Sequence, residues 1–422
     1  MKRITSVSYN LVAKFVAMVF FYLQDILLAR LLGIEGYAEW AYFFSVMTIA
    51  FWVSNLGINN AVQTTVARDA DNEKEILNHI ISGIALRIIV SGIFSVLIIF
   101  VAKPVCEICN IENKYPHFLK LLLFGAIYIF LYLVVEFWKS IAIGLKKTDK
   151  LLIITVFEHA GYFVWSIICY FVIGNVYGII IGYIVSYAVT SFVSERTYGI
   201  RKRKELFKKE DLKQNMLMIA RLSCSYIIAC LSAFVLMEMD TVMLGSMQSN
   251  KTELALYVAA KKITSKAPHF NEALLTALMV DFAVMNLRNI SERKKDFKRI
   301  FGINAWCTIG VSVVLMFLGK IAIGILYGEE FIMSYKYLMI LLPSFIITAI
   351  NQMFIYFLYY QNQAGYVSAS YFISLIINLI LNALLIPVYG AAGAGIATDV
   401  SLIPFIVLLA FRVRKTFREY NR

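Results

Sequence analysis

The sequence predicts an all-α polytopic membrane protein with twelve transmembrane helices in two six-helix lobes. Three observations predict it. Hydrophobic residues make up 60% of the 422-residue chain, charged residues only 16%, and the mean hydropathy is +0.73. The apolar residues gather in twelve stretches, each near the length of about 20 residues that a bilayer crossing needs. Landmarks in the first half recur in the second at one offset, 212 residues. A soluble domain is about 45–50% apolar and about 25% charged. Surface-to-volume scaling leaves soluble cores unable to hide the excess. The composition excludes a soluble enzyme and a disordered or collagenous chain.

The elements follow in order. The start, MKRITS, is basic. The apolar stretch after it is too long for a signal-peptide core and lacks a small-residue cleavage pattern, so it reads as an uncleaved first span. The spans are 8–30, 40–62, 80–102, 120–143, 151–173, 177–195, 216–242, 254–279, 302–326, 337–360, 366–386 and 391–411. Helices are expected because backbone polar groups in lipid need internal partners. A β-barrel would need many alternating strands of about ten residues, and none is present.

Charge sets the sidedness. An even number of spans puts both termini on one side. That side holds the N-terminus, 63–79, 144–150, 196–215, 280–301, 361–365 and 412–422, with 26 of the 40 Lys and Arg. The opposite side holds six: Arg30, Lys103, Lys114, Lys120, Lys251 and Lys336. The positive-inside rule then makes both termini cytoplasmic. The expected organisation is an N-terminal lobe over 1–195, a basic cytoplasmic linker over 196–215, a C-terminal lobe over 216–411 and a basic tail over 412–422. The linker reads as a topology determinant lying on anionic lipid, with Leu206, Phe207 and Leu212 dipping into the interface. It does not read as a nucleic-acid site.

The repeat rests on two landmarks. Val176-Tyr177-Gly178 opens span 6, and Val388-Tyr389-Gly390 opens span 12. Leu32-Gly33 ends span 1, and Leu244-Gly245 ends span 7. Both pairs stand 212 residues apart. Six spans per repeat keep both lobes in one orientation, the plan of transporters with parallel repeats and a site between them. The six cysteines are too few for a disulfide scaffold. Cys106 and Cys109 form a C-x-x-C, but no second one and no His pair completes a zinc site.

Four segments, in order along the chain, carry a family resemblance. They are LLARLLGIEGYAEWAYFFS at 27–45; DTVMLGSM at 240–247 with LYVAAKKI at 256–263; ILYGEEF at 325–331; and LLIPVYGAAGAGIATDVS at 384–401, with Asn378 and Asn382 upstream. They resemble the Wzx-type lipid-linked oligosaccharide flippases of the superfamily that also holds the MATE multidrug antiporters. The resemblance implies a MATE-like alternating-access fold. It implies transfer of an undecaprenyl-diphosphate-linked repeat unit from the inner to the outer leaflet of a bacterial inner membrane, for O-antigen or capsule assembly. It also implies membrane lipids as surroundings, and a polysaccharide polymerase and chain-length regulator as partners. Twelve spans rather than fourteen make the peptidoglycan lipid II branch a poorer match. The alternatives are a MATE-like cation-coupled multidrug antiporter, which needs an acidic cavity, and a membrane-embedded polymerase or glycosyltransferase, which needs a longer outer loop.

Eight cations lie inside spans: Lys14, Arg87, Lys139, Arg221, Lys261, Lys262, Lys266 and Lys320. A charge at that depth is costly and faces a cavity or a partner. A diphosphate in a low-dielectric cavity needs Lys or Arg. The candidate headgroup residues are Lys262 and Lys266, which share a helical face, with Lys261 beside them, and Lys14, Arg87 and Arg221. Pro268 is a candidate kink. Asp25 reads as a proton or cation site or as a partner for Arg30; Glu158 and His159 read as a coupling pair or a packed one. Glu136 and Lys139, spaced i,i+3, read as a pair. No cofactor, metal or catalytic residue is expected; a proton or sodium ion is the candidate coupling species.

Overall fold

The computed structural model describes residues 2–108, 111–198, 211–248, 250–266, 290–361 and 363–419. Among them the structure is helical throughout. The α-helices are α1 (Lys2–Asn55), α2 (Ile58–Arg68), α3 (Glu73–Ile108), α4 (Phe118–Gly144), α5 (Thr148–Ile173), α6 (Val176–Tyr198), α7 (Asp211–Met247), α8 (Lys251–Lys266), α9 (Ile290–Tyr327), α10 (Ser334–Tyr360) and α11 (Ala364–Glu419). Eight of them are long and apolar enough to cross a membrane. Two of the eight, α1 and α11, are each long enough for two crossings. The protein is an all-α polytopic membrane protein.

The repeat landmarks prove to be corners. Gly33 breaks α1 with φ 64° and ψ −178°, and Gly390 breaks α11 with φ 59° and ψ −135°. Their partners at the common offset also lie at corners: Gly245 is two residues from the end of α7, and Gly178 is in the first turn of α6. The backbone at Gly33 is one that only glycine adopts without strain, and a Cβ there would meet no neighbour within 4 Å. Gly33→Ala should therefore cost about 1–3 kcal/mol through backbone strain alone. Gly310→Ala, in mid-α9 with equally open surroundings, should instead be neutral or stabilising by about 0.5–1 kcal/mol. Thermal unfolding of the two purified variants tests the contrast.

Span 2 differs from its prediction. It is not continuous over 40–62: α1 ends at Asn55, Leu56 and Gly57 take φ 47° and 71°, and α2 begins at Ile58. Close packing accounts for the break, because a Cβ at Gly57 would lie 2.7 Å from the Ser223 carbonyl oxygen of α7. Several helices also outrun their apolar stretches. α7 starts at Asp211 and α9 at Ile290, inside segments expected to be polar connections. Lys, Arg and Glu are good helix formers, so the helices continue past the apolar limit. The second half of predicted span 8, over 267–279, lies outside the described residues.

Packing divides the chain into two compact units. Unit 1 is Met1–Leu32 with Val46–Cys230, and unit 2 is Gly33–Ser45 with Leu231–Arg422. The division runs through α1 and α7 rather than at the basic segment 196–215. Glycines mark both exchanges: Gly57 receives α7 in unit 1, and Gly245 lies against the Tyr42 ring in unit 2. Within unit 1, Gly178 and Gly182 of α6 lie on the backbone of Cys169–Tyr170 and Ser166 of α5. Small residues permit such helix contact. The small-residue run after Gly390 does the same in unit 2, where Gly393 and Gly395 lie against Leu385 and Ile340. The core of unit 2 gathers Phe354 and Phe357 of α10 with Leu375, Phe405, Leu409 and Phe417 of α11.

Candidate functional site: two buried ionic clusters and a cavity

In a membrane domain, ionisable groups away from lipid mark the candidate chemistry. Unit 1 holds one such cluster where α4, α5 and α6 meet. Lys139 Nζ lies 2.5 Å from Glu136 Oε1 and 3.0 Å from Glu158 Oε2. The expected i,i+3 pair is thus a triad, and Glu158 comes from the next helix. The Tyr187 hydroxyl donates to Glu158 Oε1 at 3.1 Å. His159 Nδ1 is 2.9 Å from the Tyr162 hydroxyl, and its Nε2 is 3.9 Å from Glu158. Aromatic rings enclose the cluster: Tyr187 meets Tyr128 edge-on at 5.4 Å, and Tyr162 stacks on Tyr183 at 5.0 Å. Two carboxylates face one ammonium here. On α1, Asp25 is buried, and its neighbour Gln24 donates to Ser166 Oγ at 2.9 Å.

Arg87 is fully buried. Its Nη2 donates to Asn55 Oδ1 at 2.8 Å and Asn59 Oδ1 at 2.7 Å, and its guanidinium also reaches the carbonyls of Ser54 and Asn55. These groups bracket the break between α1 and α2. An arginine at a helix C-terminus satisfies carbonyls left without an intrahelical partner and complements the helix dipole. The geometry makes Arg87 the clamp of that break. Lys14 and Arg221, the other two candidates in unit 1, are exposed on α1 and α7.

Unit 2 brings Lys261 and Lys262 together. Lys261 Nζ lies 2.6 Å from Asp240 Oδ1, 2.9 Å from Thr241 Oγ1 and 3.7 Å from Glu238 Oε2. Tyr257 donates its hydroxyl to Asp240 Oδ2, and the Ser45 hydroxyl donates to Glu238 at 2.8 Å. Lys262 is half-buried, with its ammonium 5.3 Å from the centre of the Tyr37 ring. Such a cation–π contact suits a cation near the edge of a desolvated site. Lys266 is the last residue of α8, and its side chain lies outside the described residues, as does Pro268. Lys320 is exposed on α9.

Beside this pair, unit 2 has a partly open cavity of about 130 Å³ between α7, α8, α10 and α11. Asp240, Lys261, Asn351, Thr398, Tyr371 and Phe405 are among its walls. The sequence reading missed this cavity and Asn351. The signal was present, since Asn351-Gln352 interrupts the otherwise apolar run IITAINQMFIYF of span 10. Among the described residues, no group of three or more His, Cys, Asp or Glu could hold a metal ion. Cys106 is buried, and Cys109 lies outside the described residues.

Comparison with known proteins follows the same lines. The family model for polysaccharide biosynthesis proteins matches residues 4–279. A relative in Haloferax volcanii, the probable low-salt glycan biosynthesis flippase Agl15, is 23% identical over 240 residues. That alignment covers 56% of this chain and 48% of the relative, so the chain spans about half the length of the curated relative it matches. Among solved structures, an inward-facing MATE multidrug resistance transporter of the MOP superfamily aligns with TM-score 0.74 at 15% identity, over 98% of this chain and 99% of that one. The lipid II flippase MurJ, in an inward closed conformation, aligns with TM-score 0.73 at 17% identity, over 97% and 89%. A MOP superfamily transporter from Pyrococcus furiosus aligns with TM-score 0.68 at 14% identity, over 99% and 96%. At these identities the structural likeness establishes the fold, which is that of the MATE and MOP transporters. With nearly two thirds of its length inside the family model, this chain belongs to the polysaccharide biosynthesis protein family.

Proposed function

We propose that this protein is a flippase for a lipid-linked oligosaccharide. In this reading it carries an undecaprenyl-diphosphate-linked repeat unit from the cytoplasmic to the outer leaflet of a bacterial inner membrane. The product feeds a polymerase and chain-length regulator that build O-antigen or capsule. The observation that carries the reading is the family match over residues 4–279. The Haloferax relative, named for glycan flipping, supports it. So does the chemistry of unit 2, where Lys262 is a cation at the edge of a polar cluster in a membrane domain. Both termini lie in the cytoplasm, on the side that gathers 26 of the 40 cations. The triad of Glu136, Lys139 and Glu158, with His159 and Asp25 in the same unit, is the candidate site for a coupling proton or sodium ion.

Deletion of the gene in its own host tests the function. Lipid-linked units should accumulate inside and surface polysaccharide should be lost; normal polysaccharide with no accumulation rejects the proposal. Within that assay, the double variant Lys262→Ala, Lys266→Ala should lower export about tenfold at unchanged protein level, the effect of losing charge-assisted contacts to a diphosphate. Unchanged export removes α8 from the substrate path.

A further inference from the structure

We propose that the cavity inside unit 2 holds one neutral sugar ring of the transported glycan, a proposal that rests on the flippase reading. The decisive residue is Asn351 of α10. It is 1% exposed, and neither its Oδ1 nor its Nδ2 has a hydrogen-bond partner among the described residues. A buried amide left wholly unpaired is costly. Asn351 lines the cavity, so an occupant can both donate to Oδ1 and accept from Nδ2. Hydroxyl groups do both.

The charges in the wall specify a neutral occupant. Asp240 and Lys261 already pair at 2.6 Å, so an entering ion would have to break that pair. The remaining polar groups suit hydroxyls. Thr264 and Ser344 donate their own hydroxyls to helix carbonyls, which leaves their oxygens as acceptors facing the space. Thr348 and Gln352 line it as well. The rest of the wall is apolar. Tyr371 and Phe405 lie with ring centres 4.3 Å apart and form an aromatic surface. A pyranose presents both halves of this chemistry, hydroxyls at its rim and C–H groups on its faces. A polyprenyl segment would match the aromatic wall and leave Asn351 unpaired. The space of about 130 Å³ exceeds what a single water fills.

The test uses the purified full chain in detergent and three probes: the methyl glycosides of glucose, galactose and N-acetylglucosamine. Saturation-transfer NMR reads contact with the ring protons. Wild type should transfer saturation to at least one glycoside. Asn351→Leu, which replaces the amide with an apolar side chain of similar size, should cut that transfer about fivefold or more while the thermal midpoint is kept or raised. Thr348→Val removes one hydroxyl and keeps the shape, so a second variant reports if the first folds poorly; it should also weaken transfer. No transfer in wild type, or equal transfer in both variants, overturns the proposal, and so does displacement of the glycoside by a short isoprenoid alcohol together with unchanged signals in Asn351→Leu. The deletion strain separates the two levels. If deletion causes no accumulation of lipid-linked units, the flippase reading fails whatever the NMR shows. If deletion causes accumulation and Asn351→Leu restores full export, the sugar site alone fails.

Discussion

Lys139→Met should destabilise unit 1 by about 3–5 kcal/mol, the cost of removing one partner from a buried ionic group. Lys139 is the ammonium shared by Glu136 and Glu158. Glu158 has a side-chain exposure of 2% and, among the described residues, keeps the Tyr187 hydroxyl and a distant His159 once the lysine is gone. Methionine preserves much of the stem's packing, so the effect reports the charge. The triple variant Glu136→Gln, Lys139→Met, Glu158→Gln should recover most of the loss, because buried ionic groups contribute little over neutral replacements once no charge is stranded. The measurement is thermal unfolding in detergent, with folded yield as a second readout. A single variant that melts with wild type would show that the carboxylates have another counter-charge.

The second large effect is at Lys261. Lys261→Met leaves Asp240 with the Tyr257 hydroxyl, the Thr241 backbone N–H and hydroxyl and, at 3.5 Å, the Thr398 hydroxyl as donors. Because these donors remain, the expected loss is about 2–4 kcal/mol, less than at Lys139. Adding Asp240→Asn should return stability to near wild type, since the uncompensated charge is removed with its partner. The pair also separates structure from transport. If Lys261 only neutralises Asp240, the double variant should export as well as it folds. If its ammonium also meets the substrate, the double variant should be stable and still defective in export. Asp240→Asn alone leaves the lysine with Glu238 and the Thr241 hydroxyl and should retain export in either case.

These clusters show what a sequence reveals and what it hides. Glu136 and Lys139 are legible as partners because one helix places residues three apart on one face. Glu158 as the third member is not, since it comes from another helix 19 residues away, and no local period reports that contact. Arg87 was legible as an intramembrane cation that needed partners. Its acceptors were hidden because they sit at a helix break, and residues 40–62 read as one continuous apolar stretch. The break depends on α7 lying against Gly57, a contact across more than 150 residues of chain. Gly33 and Gly390 were legible as repeat landmarks, and the structure supplies their physical role as left-handed corners. The exchange of Gly33–Ser45 into unit 2 had no signal in composition or periodicity. The family segments, by contrast, carried the fold and class directly, and the family model over residues 4–279 spans the first two of the four.

The central claim is that the protein itself moves a lipid-linked glycan across a bilayer. The direct measurement places the purified chain in liposomes containing undecaprenyl-diphosphate-linked oligosaccharide extracted from its own host. A membrane-impermeant glycosidase added outside then reads which leaflet each lipid occupies. Protein-free liposomes should protect the inner-leaflet half throughout. With the protein present, that half should become accessible with time, more slowly for Lys262→Ala, Lys266→Ala. A protected half that persists in the presence of folded wild-type protein, with and without an imposed proton or sodium gradient, would contradict the claim.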